Sequence, residues 1–332
     1  MSMVVEQAGG ERADLRRLGT LALRAGSLLA FVAVLVFFSA TAPFFLSFFN
    51  FTNVIAQSAI LAILAFGMTV VIIGGGGNVV TGGIDLSVAA NLGLCAAVYA
   101  SLIQAGQGDA VAILATLLTG LTVGATNAFA VVAVGILPLL ATLAVMNVAA
   151  GLELVLTENT VLSASTPFLM AINNIGPLGV PNLAWILLVV AVALILLVQF
   201  TPMGLRLQAV GEHREAARAA GLPVARYVAA TYLVSGLFAA LGAILSVAYL
   251  SGSSTGSAEL LLGVVVTALL GVVFSRRLVP TVGGTLLAAL FIGFLGNGFQ
   301  LLNISSYWVS GVQGALILLV VAATSVLRRK ES

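Results

Sequence analysis

An all-α polytopic membrane protein is the fold class this sequence predicts, on three observations: its composition, the length of its apolar runs and the placing of its charges. Of its 332 residues, 61% are hydrophobic and 7% charged, with a mean hydropathy of +1.20. Soluble chains carry about a quarter charged residues. Apolar stretches of about 20 residues recur, and each can cross a hydrocarbon core of about 30 Å as a helix that satisfies its own backbone hydrogen bonds. Membrane-spanning barrels alternate polar and apolar residues along each strand, a pattern this chain lacks.

Cutting at Gly/Pro clusters and charges gives about ten spans: 27–49, 53–73, 84–104, 109–134, 138–157, 183–200, 225–250, 258–274, 281–302 and 308–327. The first follows several arginines but runs on past Pro43 into more membrane sequence, which marks a retained span and not a cleaved signal. The domain division is then a tail at 1–26, one transmembrane domain at 27–327 and a tail at 328–332. If the N-terminus is cytoplasmic, so are the 201–224 segment, the 275–280 turn and the C-terminus. These regions and the adjoining span ends hold Arg12, Arg16, Arg17, Arg24, Arg206, Arg214, Arg218, Arg226, Arg276, Arg277, Arg328, Arg329 and Lys330, all 13 basic residues. The opposite orientation would place all of them outside, against the positive-inside rule. Spans two to five and seven to ten form two groups of four that enter from opposite sides, a pattern compatible with inverted repeats. The longest polar external segment, Thr157 to Asn182, reads as a binding loop, a plug or a connector.

Between spans two and three stands "GGGGNVVTGGIDLS", Gly74 to Ser87. Glycines there permit close helix approach and left-handed backbone, so Gly74 to Gly77, Gly82 and Gly83 suit a tight re-entrant turn packed against other spans. Asp85 follows as either an N-terminal cap of the third helix or part of a mobile inner gate, since an acid at a membrane edge must be paired or solvated. Hydrogen-bonding side chains at membrane depth are Gln57, Asn91, Asn127, Asn147, Asn297, Gln300 and Gln313. Such groups mark pathways, but they also glue helices together. Gly284 with Ala288, and Gly311 with Ala315, have the spacing of packing seams.

Several function classes are excluded or weakened by inventory. Nucleic-acid binding has no support. The single cysteine, Cys95, can form neither an internal disulfide nor a cysteine metal site. No phosphate-cradling motif can be placed, and the only lysine is Lys330, so no P-loop is present, no cofactor is expected in this chain, and any ATP is bound by a partner. The single histidine, His213, has no evident catalytic companion. An ion-coupled secondary transporter would want carboxylates deep in spans, whereas Asp85, Asp109, Glu153, Glu158 and Glu259 fall near predicted ends, with Glu153 the one arguably buried.

The most polar internal stretch is "TPMGLRLQAVGEHREAARAAGLPVARY", Thr201 to Tyr227. It predicts a short helix with Glu212 and Glu215 in its first turn, Arg218 late, and Gly221 and Pro223 ending it. Ala216, Ala219 and Ala220 share one side, a smooth face that another protein's groove could accept.

"EAARAAG", Glu215 to Gly221, resembles the EAA…G coupling loop of ABC importer permeases, and the flanking "YVAATYLVSGLFAALGAIL" is similar to the ribose-type branch. "TGGIDLSV", "GATNAFAVVAVGILPLLATLAVMNVAAGLELVLT" and "GTLLAALFIGFLGNGFQLLNISSYW" resemble the same branch, in the same order, over about residues 53 to 327. The resemblance implies an inner-membrane permease for a monosaccharide that arrives on an external binding protein. It implies a separate ATPase subunit, docked on Glu212, Glu215, Ala216, Ala219, Ala220 and Gly221, and a second permease copy in a homodimer or heterodimer. One departure is "GVVFSRRLVPTVGG", where Ser275, Arg276 and Arg277 replace several of the family's glycines, which suggests a heterodimeric pair. Branched-chain amino acids are the alternative cargo, and "TGGIDLSV" favours sugar.

Overall fold

The computed structural model describes residues 28–29, 31–76, 82–275, 279–305, 308–316 and 318. Its helices are α1 (Phe31–Thr41), α2 (Phe48–Gly75), α3 (Val88–Gln104), α4 (Asp109–Ala128), α5 (Pro138–Thr157), α6 (Pro167–Asn173), α7 (Asn182–Phe200), α8 (Pro202–Glu212), α9 (Arg214–Ala219), α10 (Val224–Leu250), α11 (Leu260–Phe274), α12 (Val282–Leu301) and α13 (308–316). No strand occurs among the described residues.

Seven helices among the described residues are long and apolar enough to cross a membrane, while α1 and α3 are shorter apolar helices. The predicted tenth span is described only for 308–316 and 318, and both predicted tails lie outside the described residues. The first predicted span, 27–49, needs correction. Its helix stops at Thr41, Pro43 and a positive φ of 61° at Phe44 turn the chain, and Phe48 and Phe49 open α2. Ser47 fixes that start, its hydroxyl accepting from the Asn50 amide at 3.2 Å.

Burial separates posts from walls. In α2, 89% of the most apolar stretch is buried, and in α10 67%, against 28% in α4 and 22% in α5. The bundle is thus built around α2 and α10, with α4 and α5 presenting apolar surface outward as lipid-facing helices do. Close approach is bought by small residues: Gly120 of α4 and Gly236 of α10 rest on each other's carbonyls, where any Cβ would clash. Thr69 of α2 and Thr285 of α12 exchange a buried hydroxyl bond of 2.8 Å. Ala288 is fully buried and Gly284 abuts the Gly271 carbonyl, so that predicted seam joins α11 to α12, whereas Gly311 and Ala315 face outward.

The segment after α5 folds over one end of the bundle. Ser163 pairs with Gly252 in a short antiparallel bridge, with Ser253 N donating to Leu162 O at 2.8 Å and Ala164 N to Ser251 O at 3.0 Å. Asp109 accepts from Tyr99 Oη at 2.6 Å and from Thr166 Oγ1 at 2.8 Å. Thr166 in turn caps α6, accepting from Leu169 N. The opposite end carries α8, α9 and the start of α10.

Candidate functional site

The predicted helix over 212–221 is divided. Pro202 and the Thr201 hydroxyl, which accepts from Gly204 N at 3.2 Å, start α8. That helix ends at Glu212, because His213 adopts extended backbone (φ −146°, ψ 90°), and α9 begins at Arg214. Glu212 therefore closes α8 and does not share a first turn with Glu215. The end of α9 is a Schellman turn: Leu222 N donates to Ala217 O, and Gly221 N to Arg218 O, with Gly221 at φ +80°. Ala217 turns inward to join Val71, Val210, Val224, Val228 and Tyr232. Glu212, Glu215, Ala216, Arg218, Ala219, Ala220 and Gly221 are all exposed, so the small-residue face is open for contact.

This segment is fastened to the end of α2. Gly211 lies on the Ile73 carbonyl, closer than any side chain would permit, and Leu207 packs on Gly74. The Arg214 Nη2 donates to the Gly75 carbonyl at 2.7 Å. On the other side of the same terminus, Gly83 abuts the Val71 carbonyl and Gly75, and its N–H donates to Gly76 O at 3.1 Å. Gly82 and Gly83 are both buried, and of the predicted re-entrant turn residues 77–81 lie outside the described residues.

Two residues on, Asp85 is 1% exposed and gathers four donors. Its Oδ1 accepts from Ser87 N (3.0 Å), Ser87 Oγ (2.6 Å) and Asn127 Nδ2 (3.2 Å), and its Oδ2 accepts from Ser235 Oγ (2.7 Å). The bond to the amide two residues ahead makes an Asx turn just before α3, whose N-cap residue is Ser87. The other bonds join Ser87, the N-cap residue of α3, to α4 and α10 at one carboxylate. Tyr232 Oη closes over it, donating to the Ile84 carbonyl at 3.4 Å. Sequence reading named Asp85 and Asn127 but missed Ser87, Tyr232 and Ser235. A hydroxyl two residues after an aspartate was the available signal for Ser87; nothing local marked Ser235.

The predicted path residues lie on several helices. Asn91 is buried and bonds Gly120 O (3.3 Å) and Cys95 Sγ (3.4 Å), a contact between α3 and α4. Asn127 belongs to the Asp85 hub, and its Oδ1 has no partner among the described residues. Asn297 and Asn50 exchange reciprocal amide bonds of 2.9 and 3.1 Å, joining α12 to α2. Gln57, Asn147 and Gln300 are exposed, Asn147 bonding its own helix at Leu143 O. Glu153 is 2% exposed, its carboxylate lying against Gly93 of α3.

Comparison with known proteins places these features in a lineage. Residues 50–321 match a family described as branched-chain amino acid transport system / permease component. The ribose import permease of Escherichia coli K12 is 33% identical over 302 residues, covering 89% of this chain and 91% of that protein. The ribose import permease of Bacillus subtilis 168 is 34% identical over 310 residues, covering 92% and 93%. The autoinducer 2 import system permease of Yersinia enterocolitica is 31% identical over 276 residues, covering 80% of each. No solved structure matches at a significant level.

Proposed function

Because the chain belongs to the branched-chain amino acid transport system / permease component family, we propose that it is the membrane permease subunit of an ABC importer for a monosaccharide. The relatives similar over nine-tenths of both chains are named for ribose import, and another for import of autoinducer 2. That favours a pentose or related sugar over branched-chain amino acids, despite the family's title.

The observation that carries the reading is the exposed small-residue face of α9. An alanine-lined helix that ends in a Schellman turn is a smooth, stiff knob suited to a partner's groove, and here it is clamped to the central helix of the bundle. The partner is a separate ATPase, which binds ATP in place of a P-loop in this chain; an external binding protein delivers the sugar, and a second permease copy completes the pore. The α8–α9 end and both chain termini face the cytoplasm in this reading, which the arginine distribution supports. The chain does no covalent chemistry. Closure of the ATPase pair displaces α9, and the bundle exchanges inward and outward openings.

The test is a pull-down of the tagged chain from its native membranes in mild detergent, with mass spectrometry of the companions. An ATPase subunit recovered with the wild type and lost with Glu215→Arg, both chains inserting equally, is the expected result. Recovery of no ATPase in several detergents would overturn the reading.

A further inference from the structure

Arg214 opens α9, yet its guanidinium does not join the exposed face of Glu215, Ala216 and Ala219. It is half-buried and reaches back to the Gly75 carbonyl at 2.7 Å. Among the described residues this is the one side-chain hydrogen bond that α9 makes. Gly75 is the last residue of a 28-residue helix. The final carbonyls of a helix lack intrahelical partners and carry the negative end of its dipole, so a cation bonded there is held by charge as well as geometry.

The other links from α9 differ in kind. Toward α8 the chain passes through His213, a single residue in extended conformation. Toward α10 it passes through the Schellman turn and Pro223, with Ala217 in an apolar cluster. Beyond Gly75 the contacts stiffen. Gly83 donates to Gly76 O and packs on the Val71 carbonyl, and Asp85, two residues later, holds donors from Ser87 at the start of α3, from α4 and from α10. A route from α9 to three core helices therefore runs through backbone packing and short polar bonds, with Arg214 as its first member.

We propose that Arg214 is the positioning residue that ties α9 to the end of α2, so that a displacement imposed on α9 is delivered to the Asp85 hub and not absorbed at His213. This rests on the permease reading above. It adds a residue outside the docking face and fixes the helix to which force is passed.

The test uses the complex with its ATPase in lipid nanodiscs, comparing hydrogen exchange with and without ATP plus vanadate. In the wild type, nucleotide is expected to change exchange at 214–221 and also at 68–76 and 82–90. In Arg214→Ala and Arg214→Gln the response at 214–221 should persist, while that at 68–76 and 82–90 falls about tenfold, the scale of losing one charge-assisted bond. Arg214→Lys, which keeps a cation and a donor, should restore part of it. A residue needed only for folding would lower both responses together and would not be rescued in this split manner. Equal responses in wild type and Arg214→Ala overturn the inference. So does loss of the ATPase from a folded Arg214→Gln, which would make Arg214 a docking residue. Absence of any ATPase from the wild-type complex would instead sink the permease reading, and this inference with it.

Discussion

Asp85 shows what one carboxylate can organise where water is scarce. Four donors converge on its two oxygens, and a buried donor left without an acceptor costs about 1–3 kcal/mol. Asp85→Asn brings two more donors into a site already filled with them, so it is expected to destabilise by about 2–4 kcal/mol on that scale. Ser235→Ala leaves the three bonds to Oδ1 in place but takes from Oδ2 its one donor among the described residues, so a smaller loss of about 1–3 kcal/mol is expected. Thermal unfolding in detergent ranks the two; a Ser235→Ala chain no more stable than Asp85→Asn would argue that no hub exists. The sequence made Asp85 legible, because an acid between two long apolar runs is conspicuous. It could not make the hub legible, because Asn127 and Ser235 lie 42 and 150 positions away. Nothing in either residue's own neighbourhood names the acid it serves.

The elements were legible in proportion to how far local chemistry determines them. Spans α4, α7, α10 and α12 start and stop within a residue or two of expectation once the short π-helical turn Phe129–Val134 is counted with α4, because long apolar runs bounded by polar breaks leave little freedom. The break between α8 and α9 was not legible, because His213 is neither glycine nor proline and its extended backbone is imposed by packing. Gly211 lies on the Ile73 carbonyl and Arg214 is drawn to Gly75. Gly211 and Gly221 accordingly make different demands. Gly221 has φ +80° with open space around it, so Gly221→Ala should lose only about 1–2 kcal/mol, the cost of a left-handed residue with a side chain. Gly211 has helical surroundings but no room, so Gly211→Ala must push α8 off α2. ATPase recovery in the pull-down is expected to survive Gly221→Ala and to fail, or fall several-fold, in Gly211→Ala. Equal tolerance of both would mean that α8 is not held against α2.

At the scale of the whole molecule, the bundle has two differently built ends joined by α2 and α10. One end is fastened by backbone-to-backbone contact around Gly75, Gly83 and Gly211. At the other end the Ser163–Gly252 bridge joins residues 162–164 to the end of α10 through the backbone, while α6 beyond it is fastened by side chains, with Asp109 holding Tyr99 and Thr166. Side-chain latches open locally at small free-energy cost, whereas interlocked backbones yield only with the helices that carry them. The side-chain-held part of this cap, residues 165–175, should therefore loosen independently of the α9 end. Asp109→Ala leaves the Tyr99 and Thr166 hydroxyls without their acceptor and weakens the start of α6, which Thr166 caps. Hydrogen exchange across 165–175 is expected to rise about five- to tenfold in that variant, the scale of one or two modest hydrogen bonds. Exchange at 68–76 and ATPase recovery should stay unchanged. A variant in which both ends loosen together would show that the helices carry the latch's loss across the bundle, and that the two ends form one cooperative unit.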